Sequence, residues 1–283
     1  MLILAAILSL AIGLSLGLLG GGGSILTLPM LVYVLHVEAK ESIASSLFVV
    51  GVTAIVGMLG HARAGRVEWK TGLLFGTAAM AGAYAGGRVA HFVPGKMLLL
   101  AFGVMMLVTS VAMLRGRKEA SGAPRGSARA KTLLVGAGVG GISGLVGAGG
   151  GFLIVPALNL FGGLAMPAAI GTSLFVIALQ SFAGLGGHIA HTTLDWQLLS
   201  VVSASAVVGS VAGVRIARHL SPATLRKAFA WFVLGMAILF ISRELPAGYG
   251  LPFAGGAVAL VGTALVGRRF LPRGGDAAPA QKA

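Results

Sequence analysis

Long apolar runs with almost no charge decide what this chain can become. The first extends from Met1 to Leu35 without one charged residue, and a glycine run splits it into 1–19 and 24–35. Others follow at 43–60, 71–90, 96–114, 132–146, 150–164, 169–190, 197–217, 224–242 and 250–267. About 20 apolar residues in a helix cross a hydrocarbon core about 30 Å thick. Only 10% of the residues are charged, against about 25% in a soluble domain. The expected fold class is therefore an all-α polytopic membrane protein. The absence of cysteine excludes disulfides, thiolate catalysis and cysteine metal sites. No Lys or Arg precedes Lys40. A cleaved leader wants a basic start, so Met1–Leu19 reads as a retained membrane segment.

The runs are organised as a duplication. Gly20, Gly22, Gly23, Leu26 and Pro29 match Gly147, Gly149, Gly150, Leu153 and Pro156 in one ungapped register. The same register carries "SSLFV" (45–49) onto "TSLFV" (172–176), His61 onto His188, Glu68-Trp69 onto Asp195-Trp196, and Arg88 onto Arg215. Biased composition aligns leucines and glycines by chance, but not His, Trp and Arg at one constant offset. Between the copies, "RGRKEASGAPRGSARAK" (115–131) is basic and rich in Gly, Ser and Pro, which reads as a cytoplasmic linker. The expected units are a first transmembrane repeat (1–114), the linker (115–131), a second repeat (132–243), a C-terminal transmembrane helix (244–272) and a disordered tail (273–283).

Charge orients the copies. The net charge of +14 reads as cytoplasmic-loop bias, not as a nucleic-acid surface. If each glycine break is a hairpin tip, the linker, loops 61–70 and 215–227 and the tail from Arg268 share one side, with 17 of the 21 Lys and Arg. A kinked single crossing would scatter that charge to both sides. The positive-inside rule thus favours two inverted repeats, each a Gly-broken helical hairpin followed by three transmembrane helices. Inverted repeats recur in secondary transporters, with the substrate site where the repeats meet.

Glycine costs a helix about 1 kcal/mol relative to alanine, so "GGGGS" (20–24) and "GAGGG" (147–151) need a reason. The arm 24–35 would cover roughly 18 Å as helix, so it reads as a half-helix ending inside the membrane. Irregular backbone at that depth is tolerated where it is buried in protein or lines a cavity. Helix N-termini there aim unpaired N–H groups at a ligand and favour anions. Gly20, Gly21, Gly22, Gly23 and Ser24, and Gly147, Ala148, Gly149, Gly150 and Gly151, are therefore candidate anion cradles near the membrane midplane. The competing reading is close helix packing through small residues.

Polar residues repeat around them. Ser45 and Ser46 match Thr172 and Ser173, and Thr53 matches Gln180 seven residues on, the same helix face. They are candidate substrate-binding donors, with back-bonding to the helix's own carbonyls as the alternative for each hydroxyl. His61 and His188 are candidates for coupling transport to protons, with an interface role as the alternative. His188 and His191 have i, i+3 spacing but no acidic cluster beside them, so no metal site is expected. Arg88 and Arg215 read as snorkelling residues, and Trp69 and Trp196 as interface anchors. Gly82/Gly86 and Gly209/Gly213 have helix-packing spacing, within the molecule or in a homodimer. All seven acidic residues fall in loops or the tail, so there is no intramembrane carboxylate pair, no P-loop lysine and no dinucleotide fingerprint. The chain does not read as an enzyme, and no cofactor is expected.

"GLLGGGGSILTLPML" followed by "SSLFVV", with "GLVGAGGGFLIVPAL" followed by "GTSLFVIALQSFAG", resembles the sulfite exporter TauE/SafE family, also called TSUP, over roughly 5–270. The resemblance implies a multi-pass transporter of the bacterial inner membrane for a small sulfur-containing or organic anion such as sulfite, sulfoacetate or another sulfonate. Its partners would be that anion, the lipid bilayer and a coupling ion, H+ or Na+. The alternatives are a passive anion channel and a membrane scaffold or sensor without flux.

Overall fold

The first apolar run folds back on itself. The computed structural model describes residues 2–19, 22–115, 128–147, 150–160, 162–217, 219, 221–245 and 256. In it α1 (Leu2–Leu19) and α2 (Gly22–Pro29) lie side by side. Ser9 Oγ stands 3.7 Å from Met30 Sδ although 21 residues separate them. A continuous helix would part these residues by about 31 Å, so the chain reverses at the glycine run. Helix α2 begins at Gly22, two residues before the expected start at Ser24. Pro29 lies inside the arm, where it lacks an N–H and presses on the carbonyl one turn back. A π-turn over Met30–Val34 takes up that mismatch, and the arm ends at His36 with φ 55°.

Three long helices complete the half: α3 (Ala39–Arg63), α4 (Trp69–Ala90) and α5 (Gly95–Arg115). The second half repeats the order as α6 (Ala128–Val146), α7 (Gly151–Leu160), α8 (Met166–His188), α9 (Trp196–Ala217) and α10 (Pro222–Glu244). No strand occurs among the described residues. Helices α3, α8 and α9 are each long and apolar enough to cross a membrane. The linker is shorter than expected, because Ala128, Arg129, Ala130 and Lys131 already belong to α6; Ala, Arg and Lys are strong helix formers. Linker residues 116–127, the tail 273–283 and, apart from Gly256, the expected helix after Glu244 lie outside the described residues.

The copies pack on each other in opposite directions. Along α3 and α8, Leu47 meets Gly184, Gly51 meets Ser181, and Gly57 meets Leu174. One number rises as the other falls, so these duplicated helices are antiparallel. Each half's first helix docks in parallel on the other half's fourth. Gly13 and Gly17 of α1 abut Ala206 and Ser210 of α9, while Gly140 and Gly144 of α6 abut Ala79 and Ala83 of α4. The two sets are the same contacts, carried from one repeat to the other. The ring pairs Trp69–Phe175 (5.2 Å) and Phe48–Trp196 (5.6 Å) repeat the relation. Lipid tails supply no hydrophobic drive between helices, so small residues bring backbones close enough for dispersion and Cα–H···O contacts.

Helices α5 and α10 close over the hairpin arms. Phe240 stacks edge-on against Phe102 (5.1 Å) and Tyr33 (5.0 Å), and Tyr33 Oη donates to Glu244 Oε1 at 2.7 Å. The π-turn of the first half is thereby fastened to the end of α10.

Candidate functional site

The second glycine turn has the better described surroundings. Gly147 and Gly150 take φ of 72° and 61°, the left-handed region in which a Cβ is strained. A Cβ on Gly147 would run into Ile43, and one on Gly150 into the Gln180 amide and Ser143. Both conformation and space therefore require glycine here. Ser46 Oγ donates to the Gly147 carbonyl and also reaches Ile43 O at 2.9 Å. Gln180 Nε2 donates to Ser143 Oγ at 3.2 Å. Helix α7 opens at Gly151 as expected, and the first N–H groups of a helix have no partner within it. The turn thus gathers Ser46, Gly147, Gly150, Gly151 and Gln180 with Ser143.

Ser143 was not among the expected site residues. It lies in the last turn of α6, seven residues before Gly150, and a buried amide such as Gln180 needs partners; that need was the one signal for it. Ala148 and Gly149, like Gly20 and Gly21, lie outside the described residues. Gly22, Gly23 and Ser24 form the first turn of α2.

The other polar candidates divide. Thr53 Oγ1 donates to Val49 O at 2.6 Å and Ser173 Oγ to Ile170 O at 2.8 Å, the local back-bonding that a hydroxyl in a membrane helix adopts. Thr172 Oγ1 accepts the Glu68 N–H at 2.9 Å, fastening the α3–α4 loop to α8. Ser45 is buried. No feature of the sequence pointed to Ser181 and Ser210, whose buried hydroxyls have no hydrogen-bond partner among the described residues.

The histidines hold the broken helices. His188 Nε2 donates to Gly144 O at 2.8 Å, and His61 Nε2 lies 3.3 Å from Gly17 O. The two bonds are one contact, made once in each repeat. A helix leaves its last four carbonyls without partners. Helices α1 and α6 end at Leu19 and Val146, so Gly17 and Gly144 carry such carbonyls. A carbonyl only accepts, so the ring proton of these bonds is on Nε2. Histidine near a helix C-terminus also complements the dipole.

The two broken helices lie against different parts of α3. Gly147 abuts Ile43 and Ser46 in the first two turns of α3, whereas Gly17 lies against His61 near its last turn. The helical stretch from Ser46 to His61 spans about 22 Å. Helices α1 and α6 run for 18 and 19 residues. Among the described residues no cluster of three or more His, Asp or Glu could hold a metal.

A model of the sulfite exporter TauE/SafE family matches residues 5–240. The chain belongs to the sulfite exporter TauE/SafE family. A probable membrane transporter protein of Xylella fastidiosa (strain Temecula1) is 34% identical over 240 residues, covering 82% of this chain and 92% of that protein. The probable membrane transporter protein YdhB of Bacillus subtilis is 24% identical, with 81% and 96% covered. A probable membrane transporter protein of Methanocaldococcus jannaschii is 25% identical, with 84% and 94% covered. No solved structure matches the chain. Family and fold agree on a membrane protein of a transporter family, and both glycine turns fall inside the matched span.

Proposed function

We propose that this TauE/SafE protein is a secondary transporter that moves a small sulfur-containing or organic anion, such as sulfite, sulfoacetate or another sulfonate, across the bacterial inner membrane by alternating access. One observation carries the reading. At the second glycine turn, whose Gly147 carbonyl is held by Ser46, the N-terminus of α7 stands beside the Gln180 amide and the Ser143 hydroxyl, with no carboxylate among them. Amide and hydroxyl donors with a helix N-terminus suit the oxygens of an oxyanion. Neutral donors at the turn keep binding reversible, as transport requires. Antiparallel duplicated helices supply the two-sided frame that alternating access needs.

The test is thermal stabilisation of the purified protein by sulfoacetate, taurine, thiosulfate, sulfite and matched carboxylates, with cations and sugars as controls, followed by flux in proteoliposomes. We expect a shift with a sulfonate or oxyanion that is lost in Gly22→Leu or Gly149→Leu, and uphill accumulation under a proton or sodium gradient. Stabilisation by a cation or neutral solute alone overturns the anion reading. Downhill flux that never accumulates points to a channel, and saturable binding without flux to a sensor.

A further inference from the structure

The α3–α4 turn, "HARAGRVEWK" (61–70), carries Arg63, Arg66 and Lys70 around one tryptophan, Trp69. Two backbone bonds, Gly65 N to Ala62 O at 2.9 Å and Arg66 N to His61 O at 3.0 Å, wind the chain tightly where α3 ends. The turn is then fixed to the first turns of α8, in the other repeat. The Arg66 carbonyl lies against Gly171, Thr172 Oγ1 accepts the Glu68 N–H, and the Trp69 ring meets Phe175 edge-on. Trp69 nevertheless stays 51% exposed, and Leu73, one helical turn further along α4, 55% exposed. Arg63 and Lys70 are exposed and Arg66 partly so. Among the described residues these three side chains make no ion pair or hydrogen bond, with Glu68 of the same turn or with any other group.

The duplication supplies an internal comparison. In the α8–α9 turn Trp196 meets Phe48 of α3 in the same ring pair, and its ring is 59% exposed. Ala190, Thr193, Gln197 and Ser200 stand there in the places of Arg63, Arg66, Lys70 and Leu73. Asp195, in the place of Glu68, accepts from Gln197 N and Leu198 N at 3.0 and 3.1 Å. Lys40 comes near this second turn, lining a small cleft with Thr192. Its ammonium donates to His91 O at 3.0 Å, and Glu38 and Glu41 flank it in the chain. Ring geometry is thus shared by the two corners, whereas three cations without partners and an exposed leucine mark the Trp69 corner.

We propose that the Trp69 corner seats an anionic phospholipid, its phosphate among Arg63, Arg66 and Lys70 and an acyl chain along Trp69 and Leu73, and that the Trp196 corner has no such preference. Tryptophan settles at the headgroup level of a bilayer. Arginine and lysine pair with phosphate oxygens, and basic clusters beside membrane helices select anionic lipid. The turn belongs to the first repeat, while Gly171, Thr172 and Phe175 belong to the second, so the bound lipid fastens the two repeats at this end. The site holds whether or not the chain carries an anion.

Trp196→Phe with Trp231→Phe leaves Trp69 as the one tryptophan of the full-length chain, and Trp69→Phe with Trp231→Phe leaves Trp196. Each protein is reconstituted in vesicles containing dibrominated phosphatidylglycerol or dibrominated phosphatidylcholine, and quenching reads which lipid lies beside the ring. At Trp69 phosphatidylglycerol is expected to be favoured about tenfold. The preference should fall toward unity when Arg63→Gln, Arg66→Gln and Lys70→Gln are combined, and Trp196 should show none. Equal quenching by the two lipids at Trp69, a preference that survives the three substitutions, or the same preference at Trp196 overturns the site. A thermal melt of the chain with all its tryptophans gives a second reading. Stabilisation by phosphatidylglycerol over phosphatidylcholine that the three substitutions remove supports the site. An equal stabilisation by inorganic phosphate, removed by the same substitutions, shows a site for soluble anions and overturns the lipid.

Discussion

Gly150 shows how one residue can be fixed by two constraints at once. Its φ of 61° penalises any Cβ by about 1–2 kcal/mol, and the space is already taken by Gln180 and Ser143. Gly150→Ala is expected to lower the unfolding temperature and to abolish stabilisation by the anion, both read in one thermal melt with and without ligand. His188 offers a separable case. His188→Leu leaves the Gly144 carbonyl without its buried partner, a loss of about 1–3 kcal/mol. His188→Gln keeps an N–H donor and should recover most of it, measured as unfolding temperature in detergent. A histidine needed only for proton coupling would instead leave stability unchanged in both variants. The glycines and histidines could be read as special from the sequence because they recur at one offset. Their partners could not, since Ser143 matches Leu16 in the other half and gives no repeated signal.

At the scale of the elements, the helix pairs that join the halves depend on backbone contact. A side chain on Gly140 would run into the Ala79 carbonyl, so Gly140→Val must push α4 and α6 apart. We expect it to reduce folded, monodisperse protein on size exclusion severely. Gly138, two residues away in α6, has nothing within 4 Å of its Cβ position, and Gly138→Ala should raise stability by about 0.5–1 kcal/mol. Similar effects of the two substitutions would remove the close-packing account of this crossing. The sequence showed small residues at packing intervals but left open whether they serve this chain or a second copy. The contacts of Gly82, Gly86, Gly209 and Gly213 with α6 and α1 place them within the molecule.

Across the whole molecule, the antiparallel run of α3 against α8 and the segregation of Lys and Arg point to the same arrangement from independent physics. The first is packing, the second the charge asymmetry of loops beside a membrane. Single cysteines at Ala120 in the linker and Thr193 in the α8–α9 loop are expected to react with an impermeant thiol reagent from opposite sides of intact cells and inverted vesicles. Reaction of both from one side would break the inverted arrangement.

The sequence by itself determined that the chain is a bundle of membrane helices, that it is duplicated, and that each copy starts with a broken hairpin. Hydropathy, charge and glycine content act locally, and a register that carries Gly20 onto Gly147 and His61 onto His188 needs no structure to be seen. Tertiary structure decided which donors gather at the second glycine turn and which helices of one half pack on which of the other. Those depend on helix crossings where small shifts of backbone separate contact from clash. The same Ser/Thr pattern therefore yields a donor to the Gly147 carbonyl at Ser46 and an anchor for the Glu68 amide at Thr172.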